Sequence, residues 1–176
     1  MKKITSIFMM MLVATFGFGQ QVVVQDFETP ASFTSADFEG LGGATIQPDP
    51  VTGGTNGNTL QMISLSTGNP WQGAEVVQAT DFMKLTTDLT VSIDVYATQA
   101  FNLLAKVEMG GPNSAASESY TTPNQWQTLT FTFNESLDGT SVADGIYSKI
   151  VFFPNWNSTE DGFAAPSDFT LYLDNI

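Results

Sequence analysis

The sequence predicts an all-β fold, a two-sheet antiparallel β-sandwich of the jelly-roll kind. Several stretches alternate apolar and polar residues with a period of two, the pattern of strands that turn one face to a core. Turn chemistry separates them, at Gly53-Gly54, Asn56-Gly57, Asn69-Pro70, Gly110-Gly111-Pro112, Asp138-Gly139, Asp144-Gly145 and Asp161-Gly162. Beyond the N-terminal leader, no stretch keeps a 3.6-residue apolar period. Many short strands without helices make a sandwich or a barrel.

The elements follow in chain order. Lys2 and Lys3 precede an apolar run from Ile4 to Phe18, with Gly17 and Gly19 before Gln20. A charged start, an apolar core and small residues at a cleavage point make residues 1–19 a secretory signal peptide. The run is shorter than the roughly 20 residues that cross a bilayer, so membrane insertion is not expected. With no cysteine after the cleavage point, lipid attachment there is excluded. Residues 20–176 are then one exported domain, secreted or held at a bacterial cell surface.

An opening strand is expected in "VVVQDFETP", Val22 to Pro30. Leu60 and Met62 mark the next, and Glu75 to Gln78 another. Leu89, Val91, Ile93, Val95 and Ala97 alternate with polar residues and Tyr96, and Phe101 to Met109 repeats the pattern. Leu129, Phe131 and Phe133 alternate with threonines. Ile150 to Phe153 is apolar on both sides, as befits a central strand or one lining an aromatic groove. Phe169, Leu171 and Leu173 form the closing strand. The sequence stops on that strand, which suggests a module of a larger exported polypeptide.

Composition narrows the function. The chain has no Cys, no His and no Arg, and its formal charge is −13. Loss of the leader removes Lys2 and Lys3, leaving Lys84, Lys106 and Lys149 as the cationic side chains. Such a surface repels nucleic acid, anionic lipid and polyanionic sugars, so a polymeric partner is expected to be neutral. Without His or Cys, Ser-His-Asp and Cys-His catalysis is impossible and common zinc sites lack their ligands. Paired carboxylates suffice for glycoside hydrolysis. Glu108, Glu118, Glu135 and Glu160, however, sit in no Glu-x-Asp-x-x-Glu arrangement. A non-catalytic protein is the expectation.

Patches in order along the chain resemble calcium-containing jelly-roll carbohydrate-binding modules, like those attached to laminarinase-type glucanases of marine Bacteroidetes. They are "VVVQDFETP", "NGNTLQM" (Asn56 to Met62), "PWQGAEV" (Pro70 to Val76), "NQWQTLTFTF" (Asn124 to Phe133), "SKIVFFPNW" (Ser148 to Trp156) and "FTLYLDNI" (Phe169 to Ile176). Together they cover about a third of residues 20–176. The resemblance implies a domain that holds a neutral polysaccharide or oligosaccharide, with a laminarin-like β-1,3-glucan the leading expectation. It also implies adjacent first and last strands, and a structural calcium held by Glu28 and Asp174 with carbonyls from the Asn56-Gly57 turn. Calcium takes six to eight oxygen ligands.

A pyranose has an apolar face and a polar rim, so an aromatic ring covers the face while amides and carboxylates bond the hydroxyls. Trp71 and Trp156, beside Pro, Gly or Asn at strand ends, are the expected platforms, with Gln72 and Asn155 as hydroxyl partners. Tyr96 on one strand, and Asn102, Lys106 and Glu108 on the next, point away from the core and line a groove if their face is concave. The resemblance assigns Trp126 to packing at a sheet edge, although it shares the parity of Thr128 and Thr130. Two other classes stay open: a structural or adhesive sandwich that contacts protein, and a small glycoside hydrolase or lyase.

Overall fold

The computed structural model describes residues 22–176; the expected signal peptide, residues 1–19, lies outside them. In chain order the strands are β1 (Phe33–Phe38), β2 (Ala44–Pro48), β3 (Asn58–Ser64), β4 (Gly73–Gln78), β5 (Met83–Leu85), β6 (Thr90–Ala97) and β7 (Phe101–Glu108). They continue as β8 (Ser114–Tyr120), β9 (Gln127–Thr132), β10 (Gly145–Tyr147), β11 (Lys149–Phe153), β12 (Trp156–Asn157), β13 (Gly162–Phe163) and β14 (Phe169–Asp174). Sheet I has the order β1-β4-β11-β7-β8 and sheet II the order β2-β3-β14-β6-β9, all pairs antiparallel. Two small sheets, β10-β5 and β12-β13, complete the set. Among the described residues no helix is long and apolar enough to cross a membrane.

The expected two-sheet sandwich is the architecture found, because the period-two apolar residues meet across one interior. Leu60, Met62, Ile93, Val95, Phe131, Leu171 and Leu173 of sheet II face Val76, Leu103, Ala105, Val107, Ile150 and Phe152 of sheet I, all buried. Each of the larger of these side chains contributes roughly 1.5–3 kcal/mol on leaving water, so in this cysteine-free chain the core is the main source of stability. The two-sided apolar segment Ile150 to Phe153 lies in β11, the central strand of sheet I.

Two sequence expectations change. The opening segment forms no strand; its Val24 and Gln25 N–H groups donate to the Ile176 carbonyl at 2.7 and 3.2 Å, and the Ile176 N–H donates to Gln25 at 2.9 Å. The segment at Val24 and Gln25 is therefore adjacent to Ile176, joined to it by a backbone bridge. A regular strand fails there because Asp26 accepts the Glu28 N–H at 3.1 Å, closing a turn in which Phe27 takes φ 57°. The second change concerns β6 and β7. Residues 98–100 carry the chain from sheet II to sheet I, so outward residues of these consecutive strands lie on opposite faces of the sandwich.

Candidate functional site

The outer face of sheet II carries a row of aromatic rings. Cross-strand register aligns Thr45 with Gln61, Gln61 with Tyr172 and Tyr172 with Tyr96. Trp126 follows one residue outside the last paired rung, Val95 with Gln127. Directly opposite residues on one sheet face sit close enough for their side chains to interact. The Tyr96 and Trp126 ring centroids are 5.7 Å apart, and those of Tyr96 and Tyr172 are 5.9 Å apart. All three rings are half-buried. Gln61 Nε2 donates to the Tyr172 hydroxyl at 2.8 Å.

Neighbouring segments hold the row in place. The Tyr120 hydroxyl lies 2.5 Å from the Thr122 carbonyl, 2.7 Å from that of Gln125 and 3.1 Å from that of Ala97. These contacts pin the turn that delivers Trp126. The loop after β2 then reaches the ring itself: Trp126 Nε1 donates to Asp49 Oδ1 at 3.1 Å. Burial works against the Asp49 carboxylate, yet hydrogen bonds from the Val51 and Asn56 N–H groups and the indole hold it below the usual carboxylate range. An indole anchored at its nitrogen loses little further rotamer freedom when something packs on its face.

Beside the aromatic row lies an acidic one. Asp174 and Asp94 are directly opposed in register. Asp94 accepts from the Thr128 hydroxyl at 2.5 Å and from Asn175 Nδ2 at 3.0 Å. Asp174 is 1% exposed, and its Oδ1 has no hydrogen-bond partner. Burial, with the negative charges of Asp94, Asp26 and Glu28 adding to it, pushes its carboxyl up to about 7 against a counteracting Asn175 backbone hydrogen bond. Glu28 accepts the Asn58 N–H at 2.6 Å and Asn58 Nδ2 at 2.9 Å. Gly57 makes that approach possible: it has φ +63°, and a Cβ there would strike the Glu28 carboxylate.

An orphaned, buried carboxylate oxygen among carboxylates has the hard-oxygen chemistry that a calcium ion prefers. Glu28 and Asp174 do belong to one electrostatic neighbourhood. In the turn expected to supply carbonyls, the Asn56 N–H donates to Asp49 at 3.1 Å and the Gly57 carbonyl accepts the Asp49 N–H at 2.7 Å. Among the described residues no three carboxylates converge in the arrangement of a metal site. Glu28 and Asp174 thus share donor chemistry and charge, not a preformed ligand cluster.

The other sequence-selected residues scatter. Trp71 is 47% exposed, in the turn between β3 and β4, as expected of an accessible ring. Gln72 beside it is fully buried; it accepts the Leu65 N–H at 3.0 Å and donates to the Leu65 carbonyl at 2.7 Å, bracing that turn. Trp156 contradicts its expected role. It is 2% exposed and packs with Leu104 and Ala115 in a small second core, its ring 5.1 Å from that of Phe163. The reason is the hairpin β12-β13, which folds back over sheet I. Asn155 is buried with it, its Oδ1 accepting from Ser64 at 3.4 Å.

Asn102, Lys106 and Glu108 lie on the outer face of sheet I, so they do not share a groove with Tyr96. Lys106 pairs with Asp138 at 3.2 Å. Glu108 meets Lys149 at 2.8 Å, and Lys149 also meets Glu75 at 2.9 Å. Asn102 accepts from the Ser119 hydroxyl at 2.7 Å. Sequence reading missed Trp126 and Tyr172 as partners of Tyr96. Their parity with outward threonines was the available signal, but only the cross-strand register makes the three rings one surface.

No family model matches the chain, and no curated protein matches it. Among solved structures, the chain is similar to the family 11 carbohydrate-binding module from Clostridium thermocellum in complex with a β-1,3-1,4-mixed-linked tetrasaccharide. That likeness has 16% identity and a TM-score of 0.53 over 85% of this chain and 89% of that one. The family 11 module of a cellulosomal cellulase of the same organism is similar at 16% identity and TM-score 0.53, over 88% of this chain and 91% of that one. An exo-β-agarase is similar at 14% identity and TM-score 0.57, over 88% of this chain but only 24% of the agarase. At these identities the likeness is one of fold.

Proposed function

We propose that this chain is a non-catalytic carbohydrate-binding domain that takes a neutral β-glucan, laminarin-like or mixed-linkage, on the outer face of sheet II. The observation that carries the reading is the cross-strand row Tyr172, Tyr96 and Trp126, three part-exposed rings on one sheet face with Gln61 and Thr45 beside them. Rings in a row offer apolar area to successive sugar faces, and the flanking amide and hydroxyl groups serve the polar rims. The formal charge of −13 favours an uncharged saccharide over alginate-like polyanions. Trp71, exposed on its turn, is a second accessible ring.

A catalytic role has less support. Asp174, with its raised pKa, has the profile of a general acid, but at 1% exposure it has no access to a glycosidic oxygen. Its place beside Glu28 suits a structural cation instead. In this reading Glu28 and Asp174 supply oxygens to calcium, which would neutralise the acidic row and tie the opening segment to β14.

Affinity electrophoresis through laminarin, mixed-linkage glucan, xylan and alginate tests the proposal. Retardation by a neutral glucan, with an affinity on the order of 10 to 100 μM, is expected. Trp126→Ala and Tyr96→Ala should each weaken it about tenfold or more, since a handful of aromatic anchors carry most binding energy. Retardation by none of the four, or binding untouched by both substitutions, overturns the assignment to this face; release of reducing sugar overturns the non-catalytic reading.

A further inference from the structure

We propose that a cleft at one end of sheet II is a second saccharide subsite, so that the domain grips an internal stretch of a polysaccharide chain and not merely its end. The inference rests on the reading of the aromatic row given above. The cleft holds about 580 Å³ and is walled by Val22, Phe82, Lys84, Asp88, Thr90 and Ser92, among others. Two observations connect it to the row.

The first is alignment. Thr90, Ser92, Asp94 and Tyr96 alternate with the buried Val91, Ile93 and Val95, so they share the outer face of β6. At about 3.3 Å per residue, Ser92 lies roughly 13 Å along the strand from Tyr96. No single sugar ring covers that distance, whereas a linear chain laid along β6 meets both places. Between them stand Asp94 and Thr128, polar groups that suit the hydroxyl rim of such a chain.

The second is the chemistry of the walls. Phe82 is 45% exposed, so its ring leaves apolar surface open to solvent in the cleft. In the same lining, Asp88 is held ready as an acceptor: its Oδ1 takes the Thr90 N–H at 3.0 Å and the Thr90 hydroxyl at 2.6 Å. Its other oxygen takes no hydrogen bond from the protein among the described residues. An apolar wall with a fixed acceptor at its rim matches a ligand that has one apolar face and peripheral hydroxyls. Asp81 and Asp88 outnumber Lys84 in the lining, a balance that disfavours an anionic occupant.

Calorimetry with laminari-oligosaccharides and mixed-linkage gluco-oligosaccharides, from disaccharide to octasaccharide, tests the subsite. Affinity should rise with chain length until the ligand spans both places, then level off. Phe82→Ala should weaken the longest oligosaccharides about tenfold and leave the shortest unchanged, while Trp126→Ala weakens every length. Because Phe82 is exposed, its truncation should leave the melting temperature near that of the parent, and Asp88→Asn provides an independent probe of the same cleft. If Phe82→Ala and Asp88→Asn match the parent at every length while Trp126→Ala still weakens binding, the cleft is not a subsite and the row stands. If no oligosaccharide or polysaccharide binds, both readings fall together.

Discussion

Asp174 makes the stability of this protein depend on pH in an unusual direction. Its carboxyl is pushed from the ordinary 3.8 to about 7, by burial first and by Asp94, Asp26 and Glu28 next. A folded state that holds its proton more tightly than the unfolded chain gains stability that is fully present below about pH 4. That stability is lost as the pH rises through 7. The difference between 3.8 and about 7 is worth roughly 4 kcal/mol in all, of which roughly 3 kcal/mol disappears between about pH 5 and pH 8. The carboxylates held below their usual range, Asp49, Asp88 and Asp168, act in the opposite sense, but only below about pH 4, outside that window. Urea denaturation in excess chelator at both pH values, on the parent and on Asp174→Asn, measures the effect. The parent should lose a few kcal/mol relative to the variant on going to pH 8, and the two should converge near pH 5. If calcium is bound as proposed, adding it at pH 8 should restore the parent by about 2.7 kcal/mol at a hundredfold excess over Kd and leave Asp174→Asn much less affected. Parallel stability curves for parent and variant would refute the account of Asp174. An unchanged melting temperature with and without chelator would remove calcium.

Three further outcomes are expected. Trp156→Ala should destabilise the fold by about 3–5 kcal/mol through the cavity it leaves, seen as a lower urea midpoint, with glucan affinity per folded molecule unchanged. Asp49→Ala should free the Trp126 indole, shifting its fluorescence and weakening glucan binding severalfold, whereas Asp49→Asn, which keeps an acceptor, should retain most of both. Lys149→Met should cost about 1 kcal/mol or less in denaturation, because its ion pairs with Glu75 and Glu108 are partly solvated.

The strands with strong alternation were legible. Thr90–Ala97, Phe101–Glu108, Gln127–Thr132 and Phe169–Asp174 fall within two residues of their sequence expectation, because a buried face imposes a period-two apolar code. Strands β1, β2 and β8 were not. In β8 the buried positions are Ser114, Ala115, Ala116 and Tyr120, mostly small residues whose burial leaves little hydrophobic signal. In β1 only Phe33 is buried, as befits an edge strand packed on one side. Trp156 was misassigned because position beside Pro and Asn argues for a strand end, and nothing local reveals that a hairpin will fold over it.

From the residues alone follow the all-β class, the acidic and cysteine-free character, the absence of His and Cys catalysis, and the outward parity of Tyr96 and Trp126. These are local or additive properties, written in composition and in the two-residue repeat. The partition of β6 and β7 between opposite sheets, the union of Tyr172, Tyr96 and Trp126 into one surface, the sealing of Trp156 and the isolation of the Asp174 carboxylate are not. Each depends on which strands pair and in what register, and pairing is settled by the packing of the whole core.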